Sequence, residues 1–325
     1  MTSSDLEQSI EQLLKSNNIV ADKRLIAELI RTSLQLGSES TNTLNLKIAS
    51  AALTEMSEAF SMFAPYANKK KVTIFGSART TKDDPVYKQT EAVAKKLADS
   101  GWMVVTGAGP GIMEAGMSGA GREMSIGVSI RLPFETSANS IIAGDDKYVS
   151  MRYFFTRKLM LVKESQAFIC MPGGFGTLDE MFELLTLSQT GKGNPVPIVV
   201  LDLPNDPFWQ DLDQFVRNTL VPRKLVSPQD LSLYRICSNV DDAVAEISNF
   251  YSTYHSMRFV GKRLILRLNR ELTDKEISNL NQSFSDICVN STIENVEITS
   301  QESSDQDCLD KFRVAFQFAR RDFGR

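Results

Sequence analysis

The chain has 325 residues, 42% apolar and 23% charged, the composition of an ordinary soluble globular protein large enough for one substantial core. A net charge of −4 gives no sign of a nucleic-acid surface, and uncharged stretches fall short of the ~18 residues a membrane helix needs. With one histidine, His255, and four scattered cysteines (Cys170, Cys237, Cys288, Cys308), the chain offers no Ser-His-Asp triad, HExxH zinc site or CxxC pair.

Residues 1–5 lack the basic start and apolar run of a signal peptide, so a cytoplasmic protein is expected. Residues 1–68 read as a helical region. Leu6, Ile10, Leu13 and Leu14 form one apolar stripe; Leu25, Ile26, Leu29, Ile30 and Leu34 form another after Asp22, a suitable N-cap. A third helix, from about Thr43, carries Leu46, Ala49, Leu53 and Met56 and should stop near Pro65.

Residues 69–253 alternate strands and helices. Apolar runs at 72–75, 103–106, 126–132, 167–171 and 196–203 read as buried strands, with helices at 87–98 and 153–164 and another after residue 177. Such alternation predicts an α/β, Rossmann-like parallel sheet with helices on both faces and ligands beyond the carboxyl ends of its strands. Residues 254–325 form a small α+β appendage. Leu264, Leu266 and Leu268 alternate like a strand, Thr273 to Glu276 reads as a capping box opening a helix to about Cys288, and residues 296–298 and 312–318 alternate again. The polar stretch 300–307 reads as a loop, and His255 as a surface residue in a connecting segment.

The chemistry concentrates at strand ends. Residues 171–180 read MPGGFGTLDE, in which Gly173, Gly174 and Gly176 let the backbone turn tightly against a ligand. Thr177 occupies an N-cap position, and Leu178, Phe182 and Leu185 fall on one face of the helix that follows. A strand, a glycine turn and a helix start together suit a phosphate. Asp179 and Glu180 fall in the same first turn, where two carboxylates would repel that phosphate. Two readings of Glu180 stand: the last member of a capping box with Thr177, or a group serving another part of the ligand.

A second glycine turn, TGAGPG at 106–111, places Gly107, Gly109 and Gly111 at another strand end, with Pro110 in the first turn of a helix. The spacing is not GxGxxG, and no acid stands about 20 residues on to hold a ribose hydroxyl, so a mononucleotide or phosphosugar fits better than a dinucleotide. Gly76 and Ser77 close a third strand end. Arg157 and Lys158 lie on the helix before the PGGFGT strand, where a guanidinium can fork onto a phosphate or carboxylate. Glu114 and Glu135 read as structural carboxylates near strand ends.

Together GSAR at 76–79, TGAGPGIMEA at 106–115, RKLM at 157–160 and PGGFGTLDE at 172–180 resemble the LOG (Lonely Guy) family, whose members often carry a lysine decarboxylase label. The resemblance covers about residues 71–250. It implies a phosphoribohydrolase that cleaves a nucleoside 5′-monophosphate, with AMP or a cytokinin riboside monophosphate foremost, to free base and ribose 5-phosphate. It further implies Arg157 and Glu180 as catalytic residues, with Gly173, Gly174, Gly176 and Thr177 as the phosphate cradle. Gly107, Gly109 and Gly111 form the facing turn, and Gly76, Ser77 and Lys158 complete substrate binding. No metal or redox cofactor is required. A homodimer or higher homo-oligomer is implied, with neither nucleic acid nor membrane as a partner. A rival expectation is a nucleotide sensor or carrier that uses the same cradle without hydrolysis.

Overall fold

Residues 3–39, 41–132, 138–290 and 292–325 are described by a computed structural model. The chain divides into two compact units, Met1–Glu58 and Ala59–Arg325.

The first unit holds α1 (Ser3–Ser16), α2 (Lys23–Ser38) and the start of α3 (Thr43–Phe63). Ile10, Leu14 and Ala27 are buried, with Leu6, Ile19, Ile26 and Ile30 packed against them. Leu13, Leu25, Leu29 and Leu34 are exposed, so only the inner rows of the two predicted stripes are covered. Asp22 stands at the N-cap of α2 but in a left-handed conformation (φ 50°) with no side-chain capping bond. Its carbonyl alone joins the helix, accepting from the Ile26 amide at 3.2 Å.

The second unit is built on seven parallel strands. They are β1 (Lys71–Phe75), β2 (Met103–Thr106), β3 (Ser125–Ile130), β4 (Tyr148–Met151), β5 (Ala167–Cys170), β6 (Ile198–Leu201) and β7 (Arg235–Cys237). Their order is β4-β3-β2-β1-β5-β6-β7. The helices between and after them are α4 (Pro85–Asp99), α5 (Ile112–Ala120), α6 (Phe154–Lys163), α7 (Phe175–Gln189), α8 (Phe208–Phe215) and α9 (Val240–Thr253).

Side chains of β1 alternate between two covered faces. Val72 and Ile74 join Val93 and Leu97 of α4 and Ala243 and Ile247 of α9 in one core. On the other face the Thr73 hydroxyl donates to the Leu161 carbonyl of α6 at 2.9 Å, and Phe75 stacks on Phe168 at 6.3 Å. This is the expected α/β architecture. Because β2–β4 lie on one side of β1 and β5–β7 on the other, connections leaving β1 and β5 diverge and open a crevice at their carboxyl ends. Two strands of this sheet do not show in the sequence as apolar runs. β4 (YVSM) buries alternate residues at one sheet edge, and β7 spans three residues at the other, so neither shows an apolar run.

A second, antiparallel sheet follows, of β8 (Tyr254–Val260), β9 (Arg263–Leu268), β10 (Glu294–Asn295) and β11 (Phe312–Phe316) in the order β10-β11-β9-β8. Leu264, Leu268, Val314 and Phe316 form a core with Ile277, Leu280 and Phe284 of α10 (Asp274–Phe284). The Thr273–Glu276 capping box forms as expected, but the α-helix ends at Phe284 and a 3-10 turn carries the chain to Ile287. His255 lies within β8, half-buried, rather than in a connection.

The stretch read as a loop contains α11 (Ser300–Asp305), opened by a capping box between Thr299 and Glu302. What holds it is charge. Arg267 and Arg313 are paired across β9 and β11, and both reach Glu302, at 2.8 and 3.1 Å. All three side chains are buried, so the acid neutralises two guanidiniums taken out of water. Glu302→Ala should therefore destabilise this unit by about 3–5 kcal/mol in chemical denaturation. Asp305→Ala, in a half-exposed pair with Arg258, should cost under ~1 kcal/mol. Equal, small losses in the two variants would show that the buried cluster does not hold the sheet.

Candidate functional site

A cavity of about 830 Å³ lies at the carboxyl ends of the central strands, within the usual range for a small-molecule site. The turn after β1 contributes Gly76, Ser77 and Arg79, and the turn after β2 contributes Gly107 and Gly109. Ser129 and Arg131, at and beyond the end of β3, stand beside Tyr148 and Ser150 of β4. Arg157 enters from α6, and Gly174, Gly176, Thr177 and Glu180 enter from the start of α7.

The start of α7 differs from the sequence reading. The N-cap is Gly174 rather than Thr177, and no side chain caps the helix. Thr177 is a helical residue, buried, with its hydroxyl packed where a Cβ on Gly173 would otherwise stand. Thr177 and Glu180 therefore form no capping box, and neither Asp179 nor Glu180 lies in the first turn. The first intrahelical bond runs from the Leu178 amide to the Gly174 carbonyl at 3.1 Å. The amides of Phe175, Gly176 and Thr177 precede it, which leaves the helix start open to an anion. The buried face of α7 is Thr177, Met181 and Leu184, one step round from the predicted Leu178, Phe182 and Leu185. Of the predicted face, Phe182 is exposed.

With the capping box gone, Glu180 has a different partner. Its Oε1 lies 3.5 Å from Nη1 of Arg157, and both side chains are nearly buried. Nε of Arg157 donates to the Val128 carbonyl at 3.2 Å, which fixes the guanidinium against β3. Burial pushes the Glu180 carboxyl up to about 7, and Asp179 and Glu183 add to this while Arg157 and Lys158 oppose it. The result is a carboxyl that changes charge near neutral pH inside a cavity. Gly107 makes the arrangement possible, because a Cβ there would overlap the Arg157 guanidinium and the Met113 sulfur.

Three expected binding residues do not line the cavity: Gly111, Gly173 and Lys158. Gly111 has φ 66°, and a Cβ on it would strike the Ser77 carbonyl, so it joins two turns instead. The Ile112 amide donates to that carbonyl at 3.0 Å, so the leading amide of α5 is already taken. Pro110 precedes the Gly111 N-cap and is not part of the helix. Of the two helix starts anticipated, that of α5 is thus left with fewer open amides than that of α7. Lys158 pairs with Asp179 at 2.6 Å and Glu183 at 3.0 Å. Glu114 pairs with Lys82 at 2.8 Å, and Glu135 lies outside the described residues.

Arg131 and the Ser129–Tyr148 hydroxyl pair, 2.8 Å apart, were not singled out from sequence, and Arg79 only as the end of the GSAR motif with no role given to it. For Ser129 and Arg131 the legible signal is position at or just beyond the end of an apolar strand; Tyr148, on the edge strand β4, had none. Asp202, after β6, is a second buried strand-end carboxyl, pushed up to about 6 by burial, but it accepts the Trp209 amide at 3.1 Å and stands outside the cavity. Among the described residues no group of three or more His, Cys, Asp or Glu could hold a metal ion, and no helix is long and apolar enough to cross a membrane.

Known proteins are similar to this chain over part of its length. Residues 109–247 match a family model described as possible lysine decarboxylase. Over 28% of its length the chain is 32% identical to a cytokinin riboside 5′-monophosphate phosphoribohydrolase of Rhodococcoides fascians, and over 38% it is 31% identical to one of Oryza sativa subsp. japonica. It spans 44% and 52% of those two relatives, about half of each. Over 47% of its length it is 29% identical to the protein of the same name from Mycobacterium tuberculosis, spanning 80% of that relative. Over residues 109–247 the chain is thus similar to the family that this model describes, and over part of its length to these phosphoribohydrolases.

Proposed function

We propose that the cavity hydrolyses the N-glycosidic bond of a nucleoside 5′-monophosphate, AMP or a cytokinin riboside monophosphate, to free base and ribose 5-phosphate. The observation that carries this reading is a buried carboxyl, Glu180, beside Arg157 and one helical turn beyond an uncapped helix start. The open amides of α7 take the 5′-phosphate, which leaves Glu180 alongside the ribose. Water adds to the anomeric carbon as the C–N bond breaks. The bond's electrons leave with the base, which gains a proton, and the hydroxyl stays on the ribose. As a carboxylate, Glu180 offsets the positive charge of the oxocarbenium-like state, and Arg157 orients the substrate. The names of the relatives support the same reaction class.

A pyridoxal phosphate decarboxylase is a poorer fit, because it needs a lysine for its Schiff base and no described residue lining the cavity is a lysine. A carrier that only holds a nucleotide gains nothing from a buried acid near an anionic ligand. The active form we infer is a homodimer. Phe154, Phe155 and Leu159 of α6 and Phe175 and Phe182 of α7 are all at least 40% exposed, and Phe154 and Phe175 also line the cavity. Single exposed apolar residues need no explanation, but five on two adjoining helices fit a surface covered by a second copy.

Incubation with AMP should release adenine and ribose 5-phosphate, with adenosine far slower, as read by chromatography; no base from a broad monophosphate panel would favour the carrier. Glu180→Gln should stay folded and lose ~10²-fold or more in turnover. In the wild type kcat/KM should rise with pH through about 7, since the carboxylate is the working form. The stability effect has the opposite sign. The folded state binds this proton more tightly than the unfolded state does, so the contribution is present below the ordinary value of 4.5 and is lost as pH rises through about 7. At pH 8 Glu180→Gln should therefore melt higher than wild type, with no advantage at pH 4.

Gly107→Ala should displace the Arg157 guanidinium and lower turnover by ~10²-fold with little change in melting temperature. Unchanged turnover would mean that the position of Arg157 is immaterial. Phe155→Asp combined with Phe182→Asp should halve the mass seen by light scattering, and a mass unaltered by both charges would remove α6 and α7 from the interface.

A further inference from the structure

We propose that Lys158 is a positioning residue that sets the charge state of Glu180, by holding the two acids that flank it, Asp179 and Glu183, in ion pairs. The proposal rests on the reading of Glu180 as the reacting carboxylate. Lys158 follows Arg157 on α6, yet its side chain turns away from the cavity toward α7. Its ammonium lies 2.6 Å from Asp179 and 3.0 Å from Glu183, with only 16% of the side chain exposed. Those acids stand one residue before and three residues after Glu180, so all three carboxylates share one turn of α7.

The charges around Glu180 can be counted by element. From α6 come Arg157 and Lys158, and from α7 come Asp179 and Glu183. The Cys170 thiol at the end of β5 feels Glu180 and is itself held neutral by burial. Arg79, after β1, and Arg131, after β3, line the same cavity. Among the described residues Arg157 is the one cation in contact with Glu180, and the single positive charge of Lys158, shared between Asp179 and Glu183, offsets part of their negative charge beside a carboxyl already out of water. Burial is the largest influence on the Glu180 carboxyl, and the charges of Lys158, Asp179 and Glu183, although Asp179 is 60% exposed, adjust how readily it ionises.

Lys158→Met is the test, read as the pH profile of base release. The midpoint should move from about 7 upward by about one pH unit, so that kcat/KM at pH 6 falls ~10-fold while the alkaline plateau is kept. Adding Asp179→Asn and Glu183→Gln to that variant should bring the midpoint back. A mere tether between helices would lower the plateau or the melting temperature and leave the midpoint where it was, and an unmoved midpoint overturns the proposal. Should Lys158→Met fail to fold, Asp179→Asn with Glu183→Gln in the otherwise native chain should move the midpoint below that of the wild type, and no movement is again fatal.

If the wild type releases no base from any monophosphate, the proposed function fails by itself. Lys158 is then judged on the unliganded protein by carbon-13 NMR titration of the Glu180 carboxyl, assigned by its loss in Glu180→Gln. An upward move in Lys158→Met supports the role, and an unchanged titration overturns it.

Discussion

The site depends on one under-compensated contact, the 3.5 Å approach of Arg157 to Glu180. At that distance the pair is too long for a strong hydrogen bond, so the arginine offsets only part of what the carboxyl loses on leaving water. The surroundings follow from that constraint. α6 and α7 flank β5 in sequence, so a single strand delivers both partners to the same end of the sheet. A glycine at 107 makes room for the guanidinium, and the Val128 carbonyl stops it from turning away. The uncapped start of α7 adds a positive dipole end without adding a side chain that could compete for Glu180.

Two other buried acids show what compensation looks like when structure alone is served. Glu302 accepts from Arg267, Arg313 and Thr299, so both oxygens are satisfied although the residue is wholly buried. Asp202 is also wholly buried, and its carboxyl accepts the Trp209 amide at the start of α8. Glu180 has the Arg157 contact and no hydrogen bond among the described residues. A buried carboxyl left short of partners is costly, and the sheet beneath it, whose central strands are buried on both faces, is what sustains that cost. Proteins break local rules of this kind where chemistry is done, which is why partner satisfaction separates these three acids better than burial does.

The parts of the fold that were legible are those where burial writes a run along the chain. β1, β2, β5 and β6 are covered on both faces and show as short, mainly apolar stretches. β4 and β7 are edge strands whose polar residues break the run, and β8 follows α9 with no turn residue to mark it. α11 was hidden because its stability comes from Arg267 and Arg313, two arginines that lie on other strands and give no local signal. The glycine turns were legible as turns, but what each glycine makes room for was not. Gly107 accommodates an arginine from another helix, and Gly111 a carbonyl from another loop.

The start of α7 shows the same limit at one residue's resolution. Thr-x-x-Glu spacing is a sound local cue for a capping box, and it holds at Thr273 and Thr299 in this same chain. It fails at Thr177 because Gly173 leaves space into which the threonine hydroxyl packs, and the helix begins earlier, at Phe175. That shift carries Glu180 out of the first turn, so its helix-starting role disappears and the Arg157 contact takes its place. A cue based on spacing assumes that the helix begins where its cap residue stands. Here a missing Cβ four residues earlier moves that beginning, and with it the chemistry open to the acid.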